Sequence, residues 1–327
     1  MNHEPWYSVY LSLPLPARPD QLVGCRVAST DGVWIAKDAS RFPQLLIQPA
    51  CESQSAVKLM LRHLEIDPNC QCSIEVPSAG TEHFGCIRIR CTAEEPELQQ
   101  FFFRTTETVL ESLPPSRSAD AVYTALEGLA ELFRQLSGRS TKTLQGLWAE
   151  LLVLSRATNI HAAARAWQIS PRALVDFAAD SEGVEVKSTI GTERRHRFKL
   201  EQLTQAPDAR WVVISFVLRE DPQGVSLQAL WDRIEQRLGT DPTLRLHVAG
   251  HIAIALGDQW RFAESYRVNE EHALANARIY AVTDIPKLDA SPFPAISNVE
   301  FTVDLSGTDP TTHTGDLIRN LFPIVTS

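Results

Sequence analysis

The 327-residue chain lacks any apolar run near the roughly 20 residues that a membrane-spanning helix needs. Its strongest apolar run, Trp211 to Leu218, has the length of a strand. The N-terminus lacks a basic segment followed by an apolar one, so we expect no secretory signal, no membrane partner and a cytoplasmic location. A positive net charge is also missing, because 31 Lys and Arg face 40 Asp and Glu, which gives −9. Affinity for nucleic acid would therefore need a local basic patch.

Several catalytic motifs are absent as well. We find no P-loop, no G-x-G-x-x-G, no H-E-x-x-H and no G-x-S-x-G, so no nucleotide motor is evident. His247 and His251 share one face of a strand predicted over 247–256. This spacing permits a zinc pair, although two surface histidines are the favoured interpretation.

No cysteine follows residue 91. In the expected cytoplasm the cysteines should be reduced thiols. The segments Cys70-Gln-Cys72 and Cys86-x4-Cys91 could suggest a zinc site, but their spacing matches no common zinc framework. Buried packing thiols are the favoured interpretation. The six cysteines are Cys25, Cys51, Cys70, Cys72, Cys86 and Cys91.

The composition is that of a globular protein, with 44% apolar and 22% charged residues and a length suited to about two domains. Residues 1–92 contain short apolar or alternating runs, including one at 7–13, that are typical of strands. Helix patterns follow at 94–113, 119–136, 143–158, 199–205 and 226–238. The Pro-Pro break at 114–115 indicates a linker. We therefore predict a β-rich N-terminal domain ending in a helix (1–117), a core (118–260) and C-terminal strands and loops packing on it (261–327).

One group of charged residues, Asp176, Glu185 and Lys187, suggests a catalytic site. Strands are predicted over 173–179 and 184–190, joined by a turn at 180–183. If Ala179 pairs with Val184, Asp176 lies opposite Lys187. Since side chains alternate along a strand, Asp176, Glu185 and Lys187 then share one face, whereas Val184, Val186 and Ile190 enter a core.

Two carboxylates on one face repel each other, and a hard divalent cation such as Mg²⁺, or Mn²⁺ in its place, relieves that repulsion. The carbonyl of Val186 could be a further ligand. Lys187 could orient or deprotonate a metal-activated water, which would make a phosphodiester hydrolysis site. The alternative is an ordinary cross-strand ion pair in a purely structural hairpin.

A basic run follows this pattern. From Lys187 to Lys199 there are five Lys or Arg and one Glu. A DNA-facing surface is one interpretation of this run, with Ser188 beside it, and a solvated loop is the other. The predicted DNA-binding residues are Ser188, Arg194, Arg195, Arg197 and Lys199.

The order GLWAEL (146–151), VDF (175–177), VEVKST (184–189) and LEQL (200–203) resembles the PD-(D/E)XK nuclease superfamily. It is most similar to bacterial proteins known as "PD-(D/E)XK motif protein", which often accompany restriction and phage-defence genes. The segments 280–286 and 296–305 are also similar to that family. The proline of the superfamily's name is replaced by Val175.

The resemblance implies an α/β fold with a restriction-endonuclease-like core, a mixed sheet flanked by helices. It implies that Asp176 and Glu185 bind the metal, that Lys187 assists the attacking water and that Glu150 adds to the metal site. Gln202 resembles a glutamine that some members place near the scissile phosphate.

The resulting hypothesis is a Mg²⁺-dependent endonuclease that hydrolyses DNA, as the nuclease component of a restriction or phage-defence system. Its expected partners are DNA and other proteins of a defence operon, with a homodimer as a further option. The alternative is a non-catalytic DNA-binding or assembly subunit with the same fold.

Overall fold

The computed structural model describes residues 5–28, 30–48, 57–77, 79–113, 118–168, 173–204, 210–288, 299–311 and 315–321. The chain forms two compact units, Met1–Arg139 and Ser140–Ser327. The division follows helix Ala119–Leu136 instead of preceding it, because that helix packs on helix Pro96–Glu111 and strand Leu64–Val76 of the first unit. Residues from 261 onward belong to the same unit as the predicted core. None of the described helices has the length and apolar character needed to cross a bilayer.

The first unit is a curved sheet with helices. Its described elements are α1 (Trp6–Ser12), β1 (Leu22–Arg26), β2 (Val33–Lys37), β3 (Pro43–Ile47), β4 (Leu59–Met60), β5 (Leu64–Val76), β6 (Gly80–Cys91), α2 (Pro96–Glu111) and α3 (Ala119–Leu136). The strand order is β1-β2-β3-β6-β5-β4. Because β1 also pairs with β5 in parallel, five of these strands close into a ring.

Alternation along the strands builds the core of this unit. On β6, Ile87, Ile89 and Cys91 lie on the buried face, as their spacing predicts. The predicted strand at 7–13 is wrong, because Trp6–Ser12 is helix α1. Trp6, Tyr10 and Leu13 are buried at helical spacing, so a period of three to four residues prevails over the weak alternation of this segment.

Gly24 on β1 should not tolerate a side chain. A Cβ at this position would overlap the backbone carbonyl oxygen of Ile35 and the side chain of Ile74. We expect Gly24→Ala to lower the free energy of unfolding by about 1–3 kcal/mol, as overpacked cores do. Gly128→Ala is the matched control: its Cβ meets open space on α3, where alanine should add up to ~1 kcal/mol. Urea unfolding of both variants checks this, and equal stability of the two would contradict it.

The second unit is built around a mixed sheet. Its described helices and strands are α4 (Leu144–Arg156), α5 (Ile160–Ala166), β7 (Phe177–Ala179), β8 (Glu182–Ile190), β9 (Arg195–Lys199), α6 (Leu200–Thr204), β10 (Arg210–Leu218), β11 (Glu220–Ser226), α7 (Leu227–Leu238), α8 (Pro242–Leu256), β12 (Arg267–Val268), α9 (Glu270–Ala275), β13 (Arg278–Ala281), β14 (Glu300–Asp304) and α10 (Asp316–Leu321). Two 3-10 segments, Gly257–Phe262 and Val282–Asp284, complete it.

The central sheet has the order β13-β10-β8-β7. Strands β8 and β10 run parallel over nine residue pairs, whereas β7 and β13 are antiparallel to their neighbours. Helices α4 and α10 pack on β8, and α9 packs on β10. Val184 and Val186 enter the core as predicted, but Ile190, the last residue of β8, is 51% exposed. The predicted mixed sheet flanked by helices is present.

The strand predicted over 247–256 is wrong, because this segment is part of helix α8. The helix begins at Pro242 after Asp241, whose side chain accepts a hydrogen bond from the Leu244 N–H, and Gly257 ends it. Most of its C-terminal half is buried, so it shows no polar face and resembles a buried strand in sequence. His247 and His251 still share a face, with ring centroids 4.0 Å apart.

Candidate active site

The site begins at the β7–β8 hairpin. Asp180 and Ser181 form its turn, and Asp180 adopts a φ of 51°, which short polar residues tolerate. Ala179 pairs with Glu182, so the predicted pairing with Val184 is wrong by two residues. Glu185 and Lys187 share one face of β8 whatever the pairing, because they lie two residues apart, and a shift of two does not change which face of the hairpin each residue occupies.

Asp176 lies just before β7, where the ladder ends. Its Oδ2 accepts a hydrogen bond from the backbone N–H of Val186 at 2.8 Å, in place of a ladder bond. In a strand the N–H and C=O of one residue point to the same side, so the Val186 carbonyl also faces this edge. The Asp176 carboxylate therefore lies beside β8 at the point where the pairing between β7 and β8 has ended.

Lys142 joins the carboxylates of two distant segments. Its Nζ donates to Oε1 of Glu150 on α4 at 2.5 Å and to Oδ1 of Asp176 at 2.7 Å. The other oxygen of Glu150, Oε2, accepts from the indole Nε1 of Trp167 at 2.9 Å. Two carboxylate oxygens thus converge on one cationic atom, and the Trp167 bond holds the orientation of Glu150.

A second ion pair lies on β8. Glu185 Oε1 is 2.6 Å from the Nζ of Lys187 and accepts from Gln202 Nε2 at 2.8 Å. Gln202 itself is held by bonds to the Leu174 carbonyl and from the Lys199 N–H. The Lys187 ammonium lies 5.2 Å from the centre of the Phe198 ring. Residues from β8 and α6 therefore meet around one carboxylate.

Burial raises the pKa of two of these carboxylates. Glu150 and Glu185 are only 3% and 7% exposed. Desolvation, and then the nearby charge of Asp176, raise the pKa of Glu150 to about 8 and that of Glu185 to about 7. Burial alone would lower the pKa of Lys142, but Glu150 and Asp176 raise it instead. The cluster therefore contains more acidic than basic side chains, three against two.

The donor set suits a hard divalent ion. One carboxylate oxygen of Glu150 and one of Asp176 converge on the Lys142 Nζ. Oxygen atoms are the ligands that Mg²⁺ and Ca²⁺ prefer. As the described residues stand, no three acidic, histidine or cysteine side chains are placed to hold a metal. The positive charges among these carboxylates are the ammonium groups of Lys142 and Lys187.

Lys142 and Trp167 are site residues that the sequence analysis missed. The contact between Lys142 and Asp176 spans 34 residues, and nothing in the local pattern around Lys142 indicates it. The signal that could have found Lys142 is its place just before Thr143, which caps α4 and so lies near one end of the Glu150 helix. Trp167 offers no such signal.

Residues 195–199 of the basic run form strand β9 and not a loop, because His196 and Phe198 alternate with the basic residues and are buried. Cross-strand acids of β14 partner the exposed face: Arg197 lies 2.8 Å from Glu300, and Arg195 lies 3.5 Å from Asp304. Lys199 is exposed on the same face. This face is therefore a row of basic side chains with acidic neighbours.

Two of the predicted DNA-binding residues are engaged inside the unit. Arg194 donates to the backbone oxygen and the hydroxyl of Ser215 at 2.9 Å and also to the Asn276 carbonyl. Ser188 accepts a bond from Gln145 Nε2 at 3.1 Å. The structure thus separates Arg194 and Ser188 from the exposed row.

Buried His196 should make stability depend on pH. It lies 2.7 Å from the Ser215 hydroxyl, and desolvation, with the charges of Lys187 and Arg194, lowers its pKa to about 4 against the opposing charge of Asp304. At pH values between about 4 and 6.5, His196 is protonated in the unfolded chain and neutral in the folded chain, so the free energy of unfolding falls as pH falls. From pH 7 to 5 the contribution of His196 to this loss should be about 2 kcal/mol at ~1.4 kcal/mol per pKa unit.

Urea unfolding at the two pH values checks this: between pH 7 and 5, His196→Gln should lose about 2 kcal/mol less stability than the wild type does. His83→Gln, on the exposed part of β6, is the control and should keep the wild-type profile. An unchanged pH dependence in His196→Gln would contradict the assignment.

Comparison with known proteins gives one family. No curated protein and no solved structure matches the chain. A family model described as "Putative PD-(D/E)XK family member" (DUF4420) matches residues 9–306. The mixed sheet and its flanking helices form an α/β architecture that fits a restriction-endonuclease-like fold. The chain therefore belongs to this PD-(D/E)XK family and has a nuclease-type fold.

Proposed function

We propose that the chain is a Mg²⁺-dependent endonuclease that hydrolyses DNA phosphodiester bonds, as the nuclease of a bacterial restriction or phage-defence system. The observation that carries this proposal is the buried cluster in which Glu150, Asp176 and Glu185 meet Lys142 and Lys187. A purely structural ion pair needs one acid and one base. Here two carboxylates converge on Lys142 and the charge of Asp176 also acts on Glu185, so three acids from separate segments lie in one buried region, which suits cation binding.

Glu150, Asp176, Glu185 and the Val186 carbonyl are the groups that would hold the ion, Mg²⁺ or Mn²⁺. When bound, it would supply a Lewis acid for the phosphoryl oxygen and lower the pKa of a coordinated water. Trp167 holds the carboxylate of Glu150, and the Val186 N–H holds that of Asp176, so both acids are oriented before any ion arrives.

The remaining residues act on the water and the phosphate. The Lys187 ammonium orients the attacking water and offsets charge on the phosphoryl group; it accepts the proton of the water only after passing its own to Glu185, 2.6 Å away. Glu185 holds the Lys187 ammonium, and Gln202 is fixed beside them by its bond to the Leu174 carbonyl. These contacts keep the reacting groups in place without help from the substrate.

The exposed row on β9 supports DNA as the substrate. Exposed ion pairs such as Arg197–Glu300 contribute little, at most about 1 kcal/mol, so these arginines can exchange an acidic partner for a phosphate. Arg195, Arg197 and Lys199 would bind the backbone and carry no base specificity. Sequence selection would then come from partner proteins or from a second copy of the chain.

The test is cleavage of duplex DNA, single-stranded DNA and RNA by the full chain with Mg²⁺, with Mn²⁺ or with EDTA. We expect cleavage of DNA that EDTA abolishes, and a melting temperature that rises with the ion. Salt-sensitive DNA binding without cleavage under any ion, and without a thermal shift, would support the alternative of a non-catalytic DNA-binding or assembly subunit.

A further inference from the structure

Three cysteines of the first unit meet on one face of the β5–β6 hairpin. Cys70 and Cys72 lie two residues apart on β5, and Cys86 on β6 pairs directly with Cys70. The Sγ of Cys86 lies 3.0 Å from that of Cys72, which in turn lies 3.5 Å from the Sγ of Cys70. The three thiols therefore form a continuous chain of contacts.

The members of this chain differ in exposure. Cys72 and Cys86 are 5% and 4% exposed and belong to a cluster with Trp34 and Ile74. Cys70 is only partly buried. A small reagent in solution therefore reaches Cys70 before it reaches the other two.

The hydrogen bonds favour a thiolate at Cys70. Cys86 donates to Cys72 and Cys72 donates to Cys70, while the Cys70 thiol donates to the Gln71 carbonyl, so the chain of donors ends at the partly exposed sulfur. The bonds from Cys72 and Cys86 lower the pKa of Cys70 to about 3, with Arg88 and Lys58 adding to the effect. Hydrogen bonds within the cluster and burial raise the pKa of Cys72 to about 12 and that of Cys86 further still, so both remain thiols while Cys70 is reduced. The thiolate is the form of cysteine that reacts.

We propose that Cys70 is a hydroperoxide-reactive thiolate and that Cys86 resolves its oxidised form as a cross-strand disulfide. The Cys70 sulfur attacks one oxygen of hydrogen peroxide, so an S–O bond forms, the O–O bond breaks, and hydroxide leaves and is protonated to water. The Cys86 sulfur then attacks the Cys70 sulfur, and the S–O bond breaks as the Cys86 proton leaves with the hydroxide as water. Two thiols are oxidised by two electrons, and one peroxide is reduced to two waters.

The register selects Cys86 as the resolving residue. Directly opposed residues of an antiparallel pair have Cα atoms about 4.5–5.5 Å apart, within the range of about 4.4–6.8 Å that disulfides span. Cys72 follows Cys70 by two residues on the same strand, so their Cα atoms are about 6.6 Å apart, at the upper end of that range. The backbone spacing therefore favours Cys86 as the partner of Cys70, although the Sγ of Cys72 contacts both other sulfurs.

Peptide mass spectrometry after treatment of the reduced full chain with hydrogen peroxide and alkylation tests the proposal. We expect a Cys70–Cys86 linked peptide that has lost two hydrogen atoms. In Cys86→Ser, we expect a sulfenic acid at Cys70 that dimedone traps. Cys70→Ser should give neither product. A disulfide from Cys70 to any other cysteine, or none at all, would overturn the pairing.

A measurement on the wild-type chain keeps the proposal independent of variant folding. Iodoacetamide at pH 6 should alkylate Cys70 before Cys72 and Cys86, and fully buried Cys91 should stay unlabelled until the chain is denatured. Equal labelling of all these cysteines, or a Cys70 that stays unmodified under these conditions, would overturn the reactive thiolate. Neither readout depends on nuclease activity.

Discussion

Lys187→Met is expected to reduce ion-dependent DNA cleavage by about 10²- to 10⁴-fold, the usual worth of a positioned acid–base group. Methionine keeps the apolar stem that packs near Phe198 and removes only the ammonium group. Glu185 remains available to a cation, so binding of Mn²⁺, measured by calorimetry, should be retained. Loss of cleavage with intact Mn²⁺ binding would separate the role of Lys187 from that of the metal ligands.

Asp176→Asn is the companion variant and should lose both cleavage and Mn²⁺ binding. Its amide can still accept the Val186 N–H, so the hairpin should remain folded, which circular dichroism checks. Lys287→Met, at an exposed lysine outside the cluster, is the control and should cleave DNA as the wild type does. Cleavage at the wild-type rate by both site variants would refute the proposed active site.

The second large effect concerns Lys142, which we expect to compete with the divalent ion. Its Nζ contacts one oxygen of Glu150 and one of Asp176 at 2.5 Å and 2.7 Å, and these are two of the oxygens that would hold the ion. An ion bound by these two oxygens would therefore take the position of the ammonium group. In Lys142→Met that competitor is gone, and Mn²⁺ should bind about tenfold more tightly, which corresponds to ~1.4 kcal/mol.

The same substitution should destabilise the ion-free chain. Removing one partner of a buried ion pair costs about 3–5 kcal/mol, because the remaining charge is left unpaired. The melting temperature of Lys142→Met without metal should thus fall well below that of the wild type, and saturating Mn²⁺ should recover most of the loss. Lys287→Met again serves as the control. Weaker Mn²⁺ binding in Lys142→Met would show that Lys142 assists the ion instead of competing with it.

Local patterns predicted much of the second unit. Helix α7 follows Ser226, whose hydroxyl caps it as its residue type indicates. The alternation of β8 placed Glu185 and Lys187 on one face although the predicted pairing with β7 was wrong by two residues, because residues two apart on a strand share a face in any register. Such features depend on residues that are neighbours in the chain.

Other features did not follow from local patterns. A buried apolar run has no polar face, so α8 resembled a strand. The arginines of β9 resembled an exposed basic loop, because their acidic partners on β14 lie about a hundred residues further along the chain. The cluster of three thiols depends on the register between β5 and β6, which no spacing of cysteines specifies.

By itself the sequence determined which charged groups one hairpin presents, because strand periodicity and turn chemistry are local. Only the tertiary structure decided that Trp167 orients Glu150 and that Lys142 lies between two acids. The physical reason is that these contacts link segments far apart in the chain. Their geometry depends on how α4 packs against the sheet, which no local pattern encodes.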